Sequence, residues 1–194
     1  MRTFFALELP EDVKRIISAL IENLQKSNVK GINWVAPENL HITFQFIGDT
    51  QRHDIPEIGQ FLKNEFSDFE KIIFGHPSLE IIPATEPRLI WISLQTDNKE
   101  IVKLSRRFKL FLTEMGYQPD KKPLRFHITL GRIKKRLPDF FIQKILTTEL
   151  KMPDFEVSEA TFYESFLRPA GPVYEKVLDY NFSRKKRSEH ECKG

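Results

Sequence analysis

Apolar residues recur at helical spacing in four stretches of the 194-residue chain and alternate with polar residues through much of the remainder. Val13, Ile16, Ile17, Leu20, Ile21 and Leu24 repeat every three or four positions, which predicts a helix with one buried face. Pro10, Glu11 and Asp12 precede it, where helix starts favour proline and acids. Ile55, Ile58, Phe61, Leu62 and Phe66 predict a second helix. Ile101, Leu104, Phe108, Phe111 and Met115 predict a third over 99–115, stopped by Gly116, and a fourth falls over 139–150. Strands are predicted over 3–9, 32–35, 40–47, 71–74, 79–82, 88–94, 124–130, 155–157, 161–167 and 174–178, with Pro77, Pro83 and Pro87 as breaks.

Strands and helices do not alternate regularly enough for a doubly wound parallel sheet. The expected class is α+β, with mostly antiparallel sheet covered by helices. No Gly/Ser linker divides the chain, so residues 1–183 are read as one domain. Residues 184–194 are read as a basic, disordered tail.

Charge changes this picture locally, not globally. The net charge of +3 belongs to the tail, which holds five basic and two acidic residues, and the rest sums to zero. A globally basic nucleic-acid binder is therefore not indicated. Between 121 and 136, however, Lys121, Lys122, Arg125, Arg132, Lys134, Lys135 and Arg136 occur with no acid among them. That run brackets a histidine and suits an anionic substrate. The single cysteine, Cys192, allows no internal disulfide, and no stretch approaches the ~18 apolar residues of a membrane span. Glu8 interrupts the apolar N-terminal stretch too early for a secretory signal. A cytoplasmic monomer, away from membranes, is expected.

One short pattern occurs twice. Leu40, His41, Ile42, Thr43 and Phe44 recur as Phe126, His127, Ile128, Thr129 and Leu130. On a strand, alternate side chains share a face. Leu40, Ile42, Phe44 and Phe46 are then expected in a core, with His41, Thr43 and Gln45 opposite. In the second copy Leu124, Phe126, Ile128 and Leu130 are expected inside, with Arg125, His127 and Thr129 opposite. Two such strands facing one another across a groove would place two imidazoles and two hydroxyls around one small anion. His53 and His76 lack such a frame and read as surface or loop residues. His190 and Cys192 are too few to make a metal site.

This doubled motif resembles the two-histidine phosphoesterases. Within them the chain is similar to the bacterial and archaeal RNA 2′,3′-cyclic phosphodiesterases, long called 2′-5′ RNA ligases. The likeness extends over Arg2 to Pro10, over Trp34 to Gly48, over Phe126 to Arg132 and over Glu164 to Glu175. The resemblance implies two pseudo-symmetric α+β lobes, each lending one His-x-Thr motif to a central cleft. It further implies His41 as proton donor and His127 as proton acceptor.

The residues suit that chemistry. Histidine titrates near neutrality and serves as general acid or base, each role supplying roughly 10²- to 10⁴-fold. Thr43 and Thr129 are suited to donating hydrogen bonds to phosphate oxygens, with Arg125 and Arg132 adding positive charge. No cofactor or metal is called for. The expected partner is RNA ending in a 2′,3′-cyclic phosphate, with reversible ATP-independent 2′-5′ joining as the reverse reaction. Small cyclic nucleotides, 2′-5′ oligoadenylates, or non-catalytic binding of RNA ends are the alternatives.

Overall fold

The helices begin and end where local chemistry permits. In a computed structural model describing residues 1–182 other than 68, 121, 169 and 170, the first helix, α1 (Glu11–Gln25), starts behind Pro10 with Glu11 and Asp12 in its first turn. Acids there offset the positive end of the helix dipole. β1 (Arg2–Glu8) precedes it; β2 (Ile32–Trp34), β3 (His41–Asp49) and α2 (Ile55–Phe66) follow. Then come β4 (Ile72–Ile82), β5 (Leu89–Gln95) and α3 (Lys99–Glu114). The Asn98 side chain caps α3 by accepting a bond from the Ile101 amide at 3.1 Å. Gly116 leaves α3 with φ of 90°, a left-handed turn that suits glycine. β6 (His127–Ile133), α4 (Asp139–Thr147), β7 (Phe155–Val157), β8 (Glu159–Arg168) and β9 (Gly171–Asn181) complete the described elements. The tail read over 184–194, like Lys121, lies outside the described residues.

The strands form one sheet in the order β7-β4-β5-β6-β3-β1-β8-β9, with β2 paired to β6. Each of these pairings is antiparallel. The order divides at β6 and β3 into two matching halves, each a motif strand followed outward by three others. The halves meet through a single residue pair, Ile42 with Ile128. These are equivalent residues of the two motif copies, so the pseudo-twofold axis passes between them.

Helices exchange across that axis. α3 leaves β5 in one half yet packs with α2, through stacked Phe61 and Phe111 (4.3 Å between ring centroids) and a bidentate Arg107–Glu65 pair. α1 leaves β1 in the other half and meets α4, where Lys144 Nζ donates to Ser27 Oγ at 2.8 Å. The main core lies between helices and sheet and includes Phe5, Leu7, Ile42, Phe44, Ile128 and Leu130. Cutting one such phenylalanine back to alanine typically costs ~3–5 kcal/mol. A smaller cluster of Phe4, Ala6 and Tyr163, with Tyr174 against it, lies apart from that core.

Several sequence expectations need correction. Residues 71–74 and 79–82 belong to one strand, β4, whose first part pairs with β7 and whose second pairs with β5. The register shifts between Gly75 and Ser78, and Pro77 sits there, where a missing N–H breaks no ladder bond. The second motif strand begins at His127, not 124, and α4 ends at Thr147. The motif strands are also neighbours in one sheet, rather than facing strands across a groove.

Candidate active site

Extending the Ile42–Ile128 register by one residue in each direction sets His41 beside Thr129 and Thr43 beside His127. Directly opposed residues of antiparallel strands lie about 4.5–5.5 Å apart. The fold thus gathers all four motif side chains at the centre of the sheet. Ile42 and Ile128, pointing the other way, are wholly buried.

Both imidazoles are locked in the same manner. His41 Nδ1 lies 2.7 Å from the Asn39 carbonyl, and His127 Nδ1 lies 2.8 Å from the Arg125 carbonyl. A carbonyl only accepts, so each Nδ1 carries hydrogen and each Nε2 is left for chemistry. His41 Nε2 is 3.0 Å from Thr43 Oγ1. Burial lowers the pKa of both rings below the ordinary imidazole range. For His41 the Asn39 carbonyl and Glu8 oppose that shift, while His127 and Arg132 add to it. For His127 the Arg125 carbonyl opposes it, and Arg125 and Arg132 add to it. Burial thus favours the neutral form of both rings, and an adjacent anion would favour their protonation.

A matched irregularity decides what surrounds the motifs. Opposite β1, Phe44 is skipped between Gln45 and Thr43; opposite β5, Leu130 is skipped between Gly131 and Thr129. Each bulge reverses the alternation beyond it. Gln45, expected beside the histidine, is buried, and Phe46, expected in the core, is 55% exposed. The corresponding residue of the second strand is Arg132, which is exposed and acts electrostatically on both histidines. Gly131 lets the second bulge form against β2, since a Cβ there would sit 2.9 Å from Ile32. Arg125 precedes the strand; it is exposed, and its carbonyl orients His127.

The walls contain residues the sequence reading did not single out. Phe4 lies 5.1 Å and Tyr174 5.5 Å from the His41 ring, centroid to centroid. Trp91 lies 4.2 Å from the His127 ring and donates from Nε1 to Glu80 at 3.0 Å. Tyr163 donates to Glu8, whose backbone pairs with that of His41. These residues come from strands distant in sequence. Nothing in either motif announces them. His53 and His76 are exposed, away from this arrangement. Among the described residues no three metal-ligating side chains gather at one point. Two cavities among the described residues, about 410 and 640 Å³, are lined by none of the four motif side chains.

A family profile described as LigT like Phosphoesterase matches residues 7–91 and again 92–174, one histidine motif in each span. The chain belongs to the LigT-like phosphoesterase family. The two spans cross the two halves of the sheet: β3 and β4 fall in the first span and β6 and β8 in the second, one of each pair in either half. Among relatives, an RNA 2′,3′-cyclic phosphodiesterase of Thermotoga maritima is 31% identical over 185 residues, covering 94% of this chain and 96% of that one. One of Methanocaldococcus jannaschii is 30% identical over 191 residues, covering 93% and 100%. Among solved structures, TT0787 of Thermus thermophilus aligns with a TM-score of 0.81 at 21% identity, covering 95% of this chain and 98% of that one. E. coli LigT complexed with 3′-AMP aligns at 0.71 and 17%, covering 94% and 98%. These two structures share the fold of this LigT-like phosphoesterase. Among its described residues no helix is long and apolar enough to cross a membrane.

Proposed function

We propose that this LigT-like phosphoesterase is an RNA 2′,3′-cyclic phosphodiesterase, opening cyclic ends to 2′-phosphomonoesters without a metal. The observation that carries the reading is the register that joins two His-x-Thr motifs at the centre of the sheet. The names of its relatives point the same way.

Water attacks phosphorus and gives its proton to His127 Nε2. The bond from phosphorus to the 3′-oxygen breaks, and that oxygen takes a proton from His41 Nε2. A 2′-phosphate remains. Thr43 and Thr129 donate to the equatorial oxygens, and Arg132 offsets their charge. Arg125 adds positive charge at the edge. Run backwards with an RNA 5′-hydroxyl as nucleophile, the same steps form a 2′-5′ linkage and need no ATP. Phe46 offers an exposed ring on which a base can stack. RNA is the substrate favoured over a mononucleotide because Lys134, Lys135 and Arg136 continue the chain beyond Arg132 and are all exposed. The single cysteine suits a reducing compartment, and the reading takes the enzyme as a cytoplasmic monomer.

The deciding assay supplies a cyclic-phosphate-ended oligonucleotide and a cyclic mononucleotide side by side, in excess EDTA. Turnover of the oligonucleotide to a 2′-phosphate, undiminished by EDTA, is the expected result. Preference for the mononucleotide would indicate a small-nucleotide phosphodiesterase. Binding without turnover would indicate an RNA-end binding module, and activity lost to EDTA and restored by zinc would indicate metal catalysis.

A further inference from the structure

The pseudo-twofold axis makes His41 and His127 equivalent. Each sits at the start of a motif strand, each is locked through Nδ1 by the carbonyl two residues earlier, and each has a threonine two residues later. A reaction needing one donor and one acceptor requires that something distinguish them. The strand registers show where the halves differ. The partner of His41 on β1 is Glu8; the partner of His127 on β5 is Ser93. The residue whose carbonyl locks His41 is the neutral Asn39; the one locking His127 is Arg125. Both differences favour a proton on His41.

We propose that Glu8 is the positioning residue that breaks the symmetry of the site, holding the proton on His41 as donor and leaving His127 as acceptor. This rests on the phosphodiesterase reading above and deepens it. Glu8 is itself held in place: the Tyr163 hydroxyl, reaching from β8, donates to its carboxylate. The second half has a fastened carboxylate too, but one strand farther out. Glu80 on β4 accepts from Trp91 Nε1 at 3.0 Å and from Ser93 Oγ at 2.7 Å. Ser93 thus stands where Glu8 stands in the first half, and its hydroxyl turns to Glu80. The other groups around His41 are Thr43 on its own strand, His127 and Arg132 on β6, and the rings of Phe4 and Tyr174. Among the described charged groups acting on His41, Glu8 alone favours its protonated form. Around His127 the charges among the described residues are Arg125 and Arg132, and both disfavour protonation.

The test needs no substrate. The titrations of His41 and His127 are followed by NMR in the full chain and in Glu8→Gln. His41 should titrate at lower pH in the variant, while His127 stays or rises slightly because its neighbour is less often charged. Glu8→Asp should restore much of the difference. In cyclic-phosphate turnover, the alkaline limb of the kcat profile should move to lower pH in Glu8→Gln, by about tenfold in rate above the limb for each pH unit moved. KM should not rise, since Glu8 acts through His41 and does not hold the substrate. The reciprocal variant, Ser93→Asp, supplies a second readout should Glu8→Gln fold poorly: it should raise the His127 titration and move the acid limb upward. An unmoved His41 titration in Glu8→Gln, or an unmoved His127 titration in Ser93→Asp, overturns the proposal. Absence of cyclic-phosphate turnover by the unaltered protein would instead overturn the phosphodiesterase reading, and the titrations would stand apart from it.

Discussion

Around His41 the walls of the site are aromatic, with Phe4, Phe46, Tyr163 and Tyr174 within one cluster of rings; around His127 they hold Trp91 and two cations, Arg125 and Arg132. The backbone frames beneath are alike down to the bulge. Phe46 and Arg132 occupy the same place in their strands, five residues beyond the histidine. The duplicated strand supplies two equivalent imidazole-hydroxyl pairs, and the neighbouring register positions give one half a wall of rings and the other a tryptophan and two cations. The proposed function uses both halves unequally, and that inequality can be broken by mutation.

The largest effect should come from the feature the halves share. His41→Ala or His127→Ala should each lower cyclic-phosphate turnover by at least about 10²-fold, with the fold retained by circular dichroism. Near-normal turnover by either variant would mean that one half suffices. Thr43→Ala and Thr129→Ala should cost less, on the order of 10- to 10³-fold in kcat, as lost donors to the equatorial oxygens. A loss confined to KM would show that the hydroxyls hold the ground state only.

Smaller effects should separate the halves. Phe46→Ala should weaken binding of a nucleotide that carries a base, by about 5- to 150-fold if one base stacks there at ~1–3 kcal/mol. Inorganic phosphate should bind the variant unchanged, and an equal loss for both ligands would assign Phe46 to the fold instead. Smallest should be the joint replacement of Lys134, Lys135 and Arg136 by alanine. It should raise KM for a long RNA and flatten its salt dependence, by a slope of roughly 0.7 for each single-strand phosphate no longer neutralised. Hydrolysis of a cyclic mononucleotide should hardly change. Equal losses on both substrates would show that these charges shape the central site.

Acidity should affect stability through the same histidines. Their pKa values are lowered by burial in the folded state, so the unfolded chain takes up protons first as pH falls. Thermal stability contributed by the two neutral rings is therefore complete above the ordinary imidazole pKa of about 6.5 and declines below it. Melting curves from pH 8 to pH 5 should show a decline that is shallower in the His41→Ala, His127→Ala double variant. Identical slopes would mean that burial of these rings carries no net pH linkage.

Much of this was legible along the chain. The apolar periods located the four α-helices of the described residues, because each buries one face and the spacing of that face is a local property. The repeated His-x-Thr frame named the four central side chains, because strand alternation assigns Ile42 and Ile128 to the core and therefore turns their neighbours the other way. Tertiary structure alone decided the rest. Periodicity does not record a one-residue bulge, so it placed Phe46 inside and Gln45 outside; only pairing with β1 reverses them. The pairing of Ile42 with Ile128, which brings the two motifs together, joins residues far apart in the chain and depends on which strands become neighbours. For the same reason Glu8, Trp91 and Tyr174 gained their places beside the histidines only when their strands took their order in the sheet, since a side chain's neighbours across a sheet are set by register and not by sequence distance.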